Sequence, residues 1–169
     1  MFYKFIFIVL LITNFLEAKE PTLAILRNVY SNDFQQFTYK NYSFICRPYG
    51  IATLEDVYRS PSVSSVCKEH IDKFYIQNPL LKHLSASLLK IFQMYHITFK
   101  DGKCLIHAKG LKTLSEILVD NGIAVKEKYL KDEIYGYKLD KAQKKASFLK
   151  KGLHKDKVLR NCMIFYRGD

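Results

Sequence analysis

The chain contains 169 residues, of which 27 are Lys or Arg and 16 are Asp or Glu, so its formal net charge is +11. This length suits one domain and argues against a second. The charge favours a polyanionic partner, namely nucleic acid, an anionic membrane surface or acidic glycans, but it does not choose among them, and a lysine-rich face is often only solvated.

The first eighteen residues have the pattern of a cleavable signal peptide. Lys4 provides a positive start, an apolar stretch runs from Phe5 to Ile12, and the segment ends at Ala18, a small residue suited to cleavage. The apolar stretch is shorter than the roughly 20 residues of a membrane-spanning helix. We therefore expect residues 1–18 to be removed and residues 19–169 to form one secreted or periplasmic domain without a membrane span. The alternative is a retained amino-terminal anchor.

Residues 22–49 predict a three-stranded meander, because short β-favouring runs alternate with turn residues. The expected strands are 22–30, 34–39 and 42–49. Residues 56–79 are less periodic and predict a long loop with a short helix near 67–75. From Leu80 to Tyr95, apolar residues recur at three- and four-residue intervals, which predicts one amphipathic helix that begins after Pro79.

The second half of the chain predicts a hairpin and two helices. Strands 96–100 and 103–109 are joined by Asp101-Gly102, which suits a two-residue turn. A helix at 112–121 has a capping box at its start and Gly122 at its end. The last helix, 133–151, has one apolar face and one lysine-rich face. The structure of the tail from 158 to 166 is left open.

This order of elements predicts an α+β fold, namely a five-stranded barrel of the oligonucleotide- or oligosaccharide-binding type (OB-fold) with about three packed helices. Such barrels bind ligands on one face and in the loops that join their strands. We expect a monomer.

Four cysteines lie in the part that follows the signal peptide: Cys46, Cys67, Cys104 and Cys162. An even number of cysteines in an oxidising compartment favours disulfides, and three pairings remain open. Their spacing contains no Cys-x-x-Cys, which argues against a structural zinc site.

The carboxyl-terminal half resembles the staphylococcal nuclease (thermonuclease) family. The run LSEILVDNGIA at 114–124 is similar to that family's helix ending in Gly-Leu-Ala, and residues 139–146 followed by Lys-Lys-Gly-Leu at 150–153 are similar to its final helix. The likeness covers roughly residues 22–155. Family members are mostly exported and have a five-stranded barrel with three helices, so the resemblance implies the same fold here.

The amino-terminal half resembles the catalytic part of that family less closely. Of the family's turn Val-x-Asp-Gly-Asp-Thr, residues 29–34 keep the second Asp, as Asp33. The run 47–55 is similar to Arg-Leu-x-Gly-Ile-Asp-Ala-Pro-Glu, but Ala52 replaces a calcium-ligating Asp and Leu54 replaces the Pro. The matched positions are Arg47, Gly50, Ile51 and Glu55.

The resemblance implies phosphodiester hydrolysis with Ca²⁺ or another divalent cation. By position, Asp33 and the Thr53 carbonyl would bind the metal, Glu55 would bind it or activate water, and Arg47 would bind phosphate. Oxygen ligands suit Ca²⁺, and guanidinium groups bind phosphate oxygens in a two-point fork.

Two of the family's site residues have no direct counterpart. The second arginine is missing, and only Lys100 and Lys103 lie near the equivalent place, although lysine lacks the planar fork. Asp101 or Asp56 could replace the carboxylate that Ala52 lacks.

Three functional hypotheses follow. The first is an exported nuclease acting on DNA, with RNA as a further substrate. The second is an inactive exported nucleic-acid-binding module of the same fold, for example one that handles DNA at the cell envelope; basic faces with interspersed Tyr and Phe suit such binding. The third is a basic envelope protein in which Asp33, Arg47 and Glu55 form ordinary surface pairs.

Overall fold

The computed structural model describes residues 21–166, so the predicted signal peptide at 1–18 lies outside the described residues. The strands are β1 (Thr22–Val29), β2 (Gln35–Tyr39), β3 (Tyr42–Cys46), β4 (Ile51–Thr53), β5 (Met94–Lys100), β6 (Lys103–Lys109), β7 (Lys112–Thr113) and β8 (Ala124–Lys126). The helices are α1 (Leu54–Arg59), α2 (Ser65–Gln77), α3 (Pro79–Lys82), α4 (Leu84–Leu88), α5 (Leu114–Asp120), α6 (Glu133–Phe148), a 3-10 helix (Gly152–Lys155) and α7 (Lys157–Cys162).

The predicted α+β class is confirmed, whereas the predicted closed barrel is not. Six strands form one antiparallel sheet in the order β3-β2-β1-β5-β6-β7, and β4 and β8 form a separate antiparallel pair. Within residues 21–166 this is an open strand order with two edges. The pair β4–β8 lies outside the six-stranded order, and neither strand was predicted.

One face of the sheet is buried against the helices. Alternate residues of the central strands are fully buried, as strand geometry requires when one face packs on a core. The side chains of Leu26, Ile97 and Ile106 line this face, and Leu118 of α5 and Leu139 of α6 belong to the same apolar cluster.

The turn and cap signals in the sequence were reliable. The meander and the second hairpin form, although β3 ends at Cys46 and not at the predicted residue 49, and Asp101 and Gly102 both have positive φ angles, of 47° and 72°. Thr113 and Glu116 make the predicted reciprocal capping box at the start of α5. The last predicted helix ends slightly early, at Phe148, and the tail forms α7.

The predicted helix from Leu80 to Tyr95 is wrong. The chain forms two short helices, α3 and α4, separated at His83, and Leu89 leaves α4 with an extended backbone. Phe92 then takes a positive φ of 66°, and Tyr95 enters β5, where it pairs with Ala24 of β1. The apolar spacing fits both arrangements, and pairing with β1 decides the outcome.

The short helix predicted near 67–75 is confirmed and is longer than predicted, as α2, whereas the predicted loop around it is wrong at its start, where α1 extends to Arg59. The Thr53 side chain accepts from the Asp56 backbone and the Asp56 side chain accepts from the Thr53 backbone, which starts α1 directly after β4. Ser64 caps α2 in a similar way. Thr53 and Asp56 have the spacing of a capping box in the sequence. The helix was not predicted because no apolar periodicity follows these two residues.

Two disulfides form, and their pairing is Cys46–Cys104 and Cys67–Cys162. The first joins the end of β3 to β6, and the second joins α2 to α7. Disulfides are typical of proteins in oxidising compartments. Among the described residues, no helix is both long and apolar enough to cross a membrane.

The exits of α5 and α6 pack backbone against backbone at two glycines. Gly122 and Gly152 both have positive φ, and the Leu153 N–H donates to the Gly122 carbonyl at 2.8 Å. A Cβ atom on Gly122 would overlap the Lys151 carbonyl. Neither position has room for a side chain.

We predict that Gly122→Ala lowers the free energy of unfolding by about 3 kcal/mol or more, because it adds overlap to the cost of a left-handed backbone. Gly110→Ala is the matched control, since Gly110 has a φ of 58° but a Cβ there meets no atom within 4 Å. The control should lose only about 1 to 2 kcal/mol. Urea unfolding measures both values, and equal losses would contradict the packing argument.

Candidate functional site

The turn between β1 and β2 meets the start of α1, and this junction brings charged side chains together. Asp33 lies in the turn, while Asp56 and Arg59 lie on α1, one helical turn apart. Arg47 follows β3. These four residues, Asp33, Arg47, Asp56 and Arg59, are called here the acid–arginine cluster.

Asp33 is the most deeply buried member of the cluster, with 1% of its surface exposed. The Ser31 hydroxyl donates to its Oδ1 at 2.6 Å, and Arg59 Nη2 forms an ion pair with its Oδ2. A buried carboxylate requires such compensation, because its charge loses the solvation of water. Arg59 therefore holds α1 against the β1–β2 turn.

Asp56 connects the two arginines. Its Oδ1 pairs with Arg47 Nη2 and lies 3.2 Å from Arg59 Nη2. Its Oδ2 accepts from the Thr53 backbone N–H at 3.0 Å and from the Thr53 hydroxyl at 3.2 Å. Each carboxylate oxygen of Asp56 thus has two partners within the chain.

Both guanidinium groups also lie over the ring of Phe34. The Arg47 and Arg59 Cζ atoms are 5.4 Å and 4.7 Å from its centroid, within cation–π range. The two side chains remain 40% and 43% exposed, so the cluster does not enclose either of them. Arg47 Nε is buried and makes no hydrogen bond with the described protein groups.

Glu55 adjoins the cluster through Asn32. The buried Asn32 amide donates from Nδ2 to Glu55 Oε1 at 2.7 Å, and its Oδ1 accepts from the Ser85 N–H. Burial is the largest influence on Glu55 and raises its pKa above the usual value. Interactions with its own backbone, with the nearby Tyr75 side chain and with the Asn32 amide oppose that rise, and the nearby negative charge of Asp33 adds to it. Glu55 therefore binds a proton more readily than an exposed carboxylate.

A surface cavity of about 310 Å³ opens beside these residues. Its lining combines Glu55 and Arg59 with Lys82 and His83, and three tyrosines complete the wall: Tyr30, Tyr58 and Tyr75. The cavity thus places cationic groups, a carboxyl group and aromatic rings around one volume.

The two predicted phosphate-binding lysines lie outside the cluster. Lys100 pairs with Asp132, whose pKa it lowers, and Lys103 pairs with Glu127. Among residues 21–166, Asp101 makes no hydrogen bond or ion pair with the cluster; it accepts from the Tyr49 hydroxyl at 3.5 Å. Of the two candidates to replace the missing carboxylate, Asp56 is the one that joins the cluster.

The residues present do not fit the calcium site that the resemblance implies. Ca²⁺ takes six to eight oxygen ligands, and dedicated sites supply several free carboxylates. Here Ala52 has no side-chain ligand atom, and Asp33 and Asp56 are both paired with guanidinium groups. Within residues 21–166, no group of three or more His, Cys, Asp or Glu side chains is arranged to hold a metal.

The structure places the predicted site residues Asp33, Arg47, Thr53 and Glu55 in or beside the cluster. Arg59 was not predicted. A signal was available: Asp56 and Arg59 are three residues apart, a spacing that pairs side chains on a helix. It went unused because both residues were predicted to lie in the loop that precedes the short helix at 67–75. Asn32 and Tyr75 were missed for a different reason, since their contacts with Glu55 join distant parts of the chain.

Comparisons with known proteins do not assign this site. No family model matches the chain, and no curated protein matches it either.

We predict that Glu55→Gln stabilises the folded protein at neutral pH. The raised pKa of Glu55 means that its ionised form is disfavoured in the fold, so its proton stabilises the protein at low pH and this contribution is lost as pH rises. The gain in melting temperature of the variant should grow as pH rises from about 4 to 8. Exposed Glu69 on α2 provides the control: Glu69→Gln should show no such growing gain, and an identical pH trend in both variants would contradict the prediction.

Proposed function

We propose that the chain is an exported nuclease that hydrolyses phosphodiester bonds of DNA, with RNA as a further substrate. The observation that carries this proposal is that Glu55, a carboxyl group with a raised pKa, lines one cavity together with Arg59, and that Asp56 joins Arg59 to the second arginine, Arg47. Perturbed carboxyl groups beside specific charged partners in a cleft are characteristic of catalytic sites.

The proposed chemistry uses groups of the chain itself. Glu55 accepts a proton from a water molecule as the water oxygen attacks phosphorus, and the bond from phosphorus to the leaving sugar oxygen breaks. A base is most effective when its pKa lies near the working pH, which a raised pKa favours for a glutamate. Arg47 and Arg59 would stabilise the charge that builds on the phosphate oxygens. The leaving oxygen takes a proton from solvent.

The carboxylates beside the arginines favour an enzyme over a simple phosphate receptor. Asp33 and Asp56 pair with the guanidinium groups and Glu55 lines the same cavity as Arg59, so the negative charges of these acids repel an incoming phosphate. A site that only bound anions would gain affinity by losing these acids. A nuclease needs one of them as a base and the others to orient its arginines.

The fold supports the same proposal. The backbone after β3 reaches β6: Tyr49 N–H donates to the Cys104 carbonyl at 2.9 Å, and Cys104 N–H donates to the Arg47 carbonyl at 2.8 Å. These bonds and the Cys46–Cys104 disulfide draw the β3 edge toward the far side of the sheet. We propose that they complete a barrel of the OB type. Two disulfides support export to an oxidising compartment.

A second candidate function, nucleic-acid binding without cleavage, is favoured by a separate surface. Helix α6 exposes several lysines on the side away from the core: Lys138, Lys141, Lys144 and Lys145. A basic face of this kind binds phosphates without reading sequence. In this alternative the acid–arginine cluster orients the bound strand, and Glu55 performs no chemistry.

We predict that the protein lacking residues 1–18 cleaves a fluorogenic single-stranded DNA. Glu55→Gln should lower the rate by roughly 100-fold or more, as loss of a general base does. Arg47→Ala should lower it by a similar factor, because it removes stabilisation of the transition-state charge. Arg27→Ala is the matched control: this exposed arginine on β1 contacts Thr38 and Phe92 instead of the cluster, so its rate should stay near the wild-type value.

The assay should be run with EDTA and, separately, with Ca²⁺, Mg²⁺ and Mn²⁺, on both DNA and RNA. Absence of cleavage in every condition would contradict the nuclease proposal. Fluorescence anisotropy on the same oligonucleotides then tests the second candidate. Binding by wild type that weakens steeply with salt, and that weakens further in a Lys141→Ala, Lys144→Ala double variant, would support a binding module.

A further inference from the structure

The acid–arginine cluster already contains a fixed cation at its most buried carboxylate. Asp33 is 1% exposed, and its Oδ2 pairs with the Arg59 guanidinium. The other oxygen, Oδ1, accepts from Ser31 at 2.6 Å. Both carboxylate oxygens are therefore occupied by groups that belong to the chain.

Arg59 is held in this position from three sides. It pairs with Asp33, lies 3.2 Å from Asp56 Oδ1, and covers the Phe34 ring at 4.7 Å. Its backbone belongs to α1, whose first turn is fixed by the Thr53 capping box. A guanidinium group so constrained loses little freedom when it binds a further partner.

The exposed part of Arg59 faces a space where a ligand can enter. The side chain is 43% exposed and lines the cavity of about 310 Å³ together with Lys82 and His83. Arg59 Nη2 serves the carboxylates, and the remaining donors of its planar fork are available to an acceptor. Phosphate oxygens are the acceptors that match this fork in charge and geometry.

We propose that the Arg59 guanidinium takes the place of a divalent cation at this site, so that phosphate binding is independent of metal. This inference rests on the proposed function only for the identity of the ligand, a phosphodiester. The exclusion of metal rests on the pairing of Asp33 and Asp56 with arginines. Removal of Arg59 should release Asp33 from its ion pair and leave Asp56 with Arg47 alone, which creates a cation site beside Asp33.

Terbium(III) luminescence tests the inference without any measurement of catalysis. Tb³⁺ binds the oxygen ligands that Ca²⁺ binds, and tyrosines near Glu55 can sensitise its emission: Tyr30, Tyr58 and Tyr75. Wild type should give weak, non-saturating emission. Arg59→Gln should bind Tb³⁺ about tenfold more tightly or better, and excess Ca²⁺ should displace it.

Two further variants separate a true site from a change in net charge. Arg27→Ala removes one positive charge at a position outside the cluster and should not enhance Tb³⁺ binding. Asp33→Asn combined with Arg59→Gln should abolish the gain. The inference is overturned if wild type binds Tb³⁺ as tightly as Arg59→Gln does, or if the gain in Arg59→Gln equals that in Arg27→Ala.

A measurement on the natural chain keeps the test independent of how well the variants fold. Wild-type affinity for a short single-stranded DNA should be the same in EDTA and in millimolar Ca²⁺ at matched ionic strength. A marked increase with Ca²⁺ would overturn the inference. If DNA does not bind in either condition, the proposed function fails, while the terbium result still decides whether Arg59 occupies the cation position.

Discussion

The burial of one carboxylate determines how α1 packs against the turn between β1 and β2. Asp33 is 1% exposed, and its charge is tolerable only with a positive group against it. Arg59 provides that group, and it does so from a helix whose start is fixed by the preceding strand. The ion pair thereby fixes the position of α1 relative to the β1–β2 turn. The position of α1 in turn places Glu55 and Arg59 in the wall of the cavity, because both residues belong to this helix.

The charged side chains of the site consequently share their partners. Asp56 serves two arginines, Asn32 connects Glu55 to a backbone segment far along the chain, and Phe34 supports both guanidinium groups. Loss of one member leaves another buried and unpaired, which costs more than the lost contact itself. Effects of substitutions within the cluster should therefore be strongly non-additive.

Local rules predicted much of the fold, and long-range pairing explains where they failed. The Asp101-Gly102 turn and the Thr113 capping box were predictable because each depends on residues within a few positions. The stretch 80–95 was not, because its apolar spacing fits a helix as well as two short helices and a strand, and only pairing with β1 selects the latter.

The site shows the same division. Positions similar to a known motif located Asp33, Arg47 and Glu55, but the partner that neutralises Asp33 lies 26 positions along the chain, on a helix that was predicted to be a loop.

The Cys46–Cys104 bridge has a consequence for when the site can assemble. It attaches the residue immediately before Arg47 to β6, next to the two backbone hydrogen bonds that join the same segments. In a reducing cytoplasm this covalent attachment is absent, so Arg47 is anchored by the hydrogen bonds alone. Oxidation of Cys46 and Cys104 therefore fixes the segment that carries Arg47 against β6, so the geometry of the acid–arginine cluster depends on the redox state of this cysteine pair.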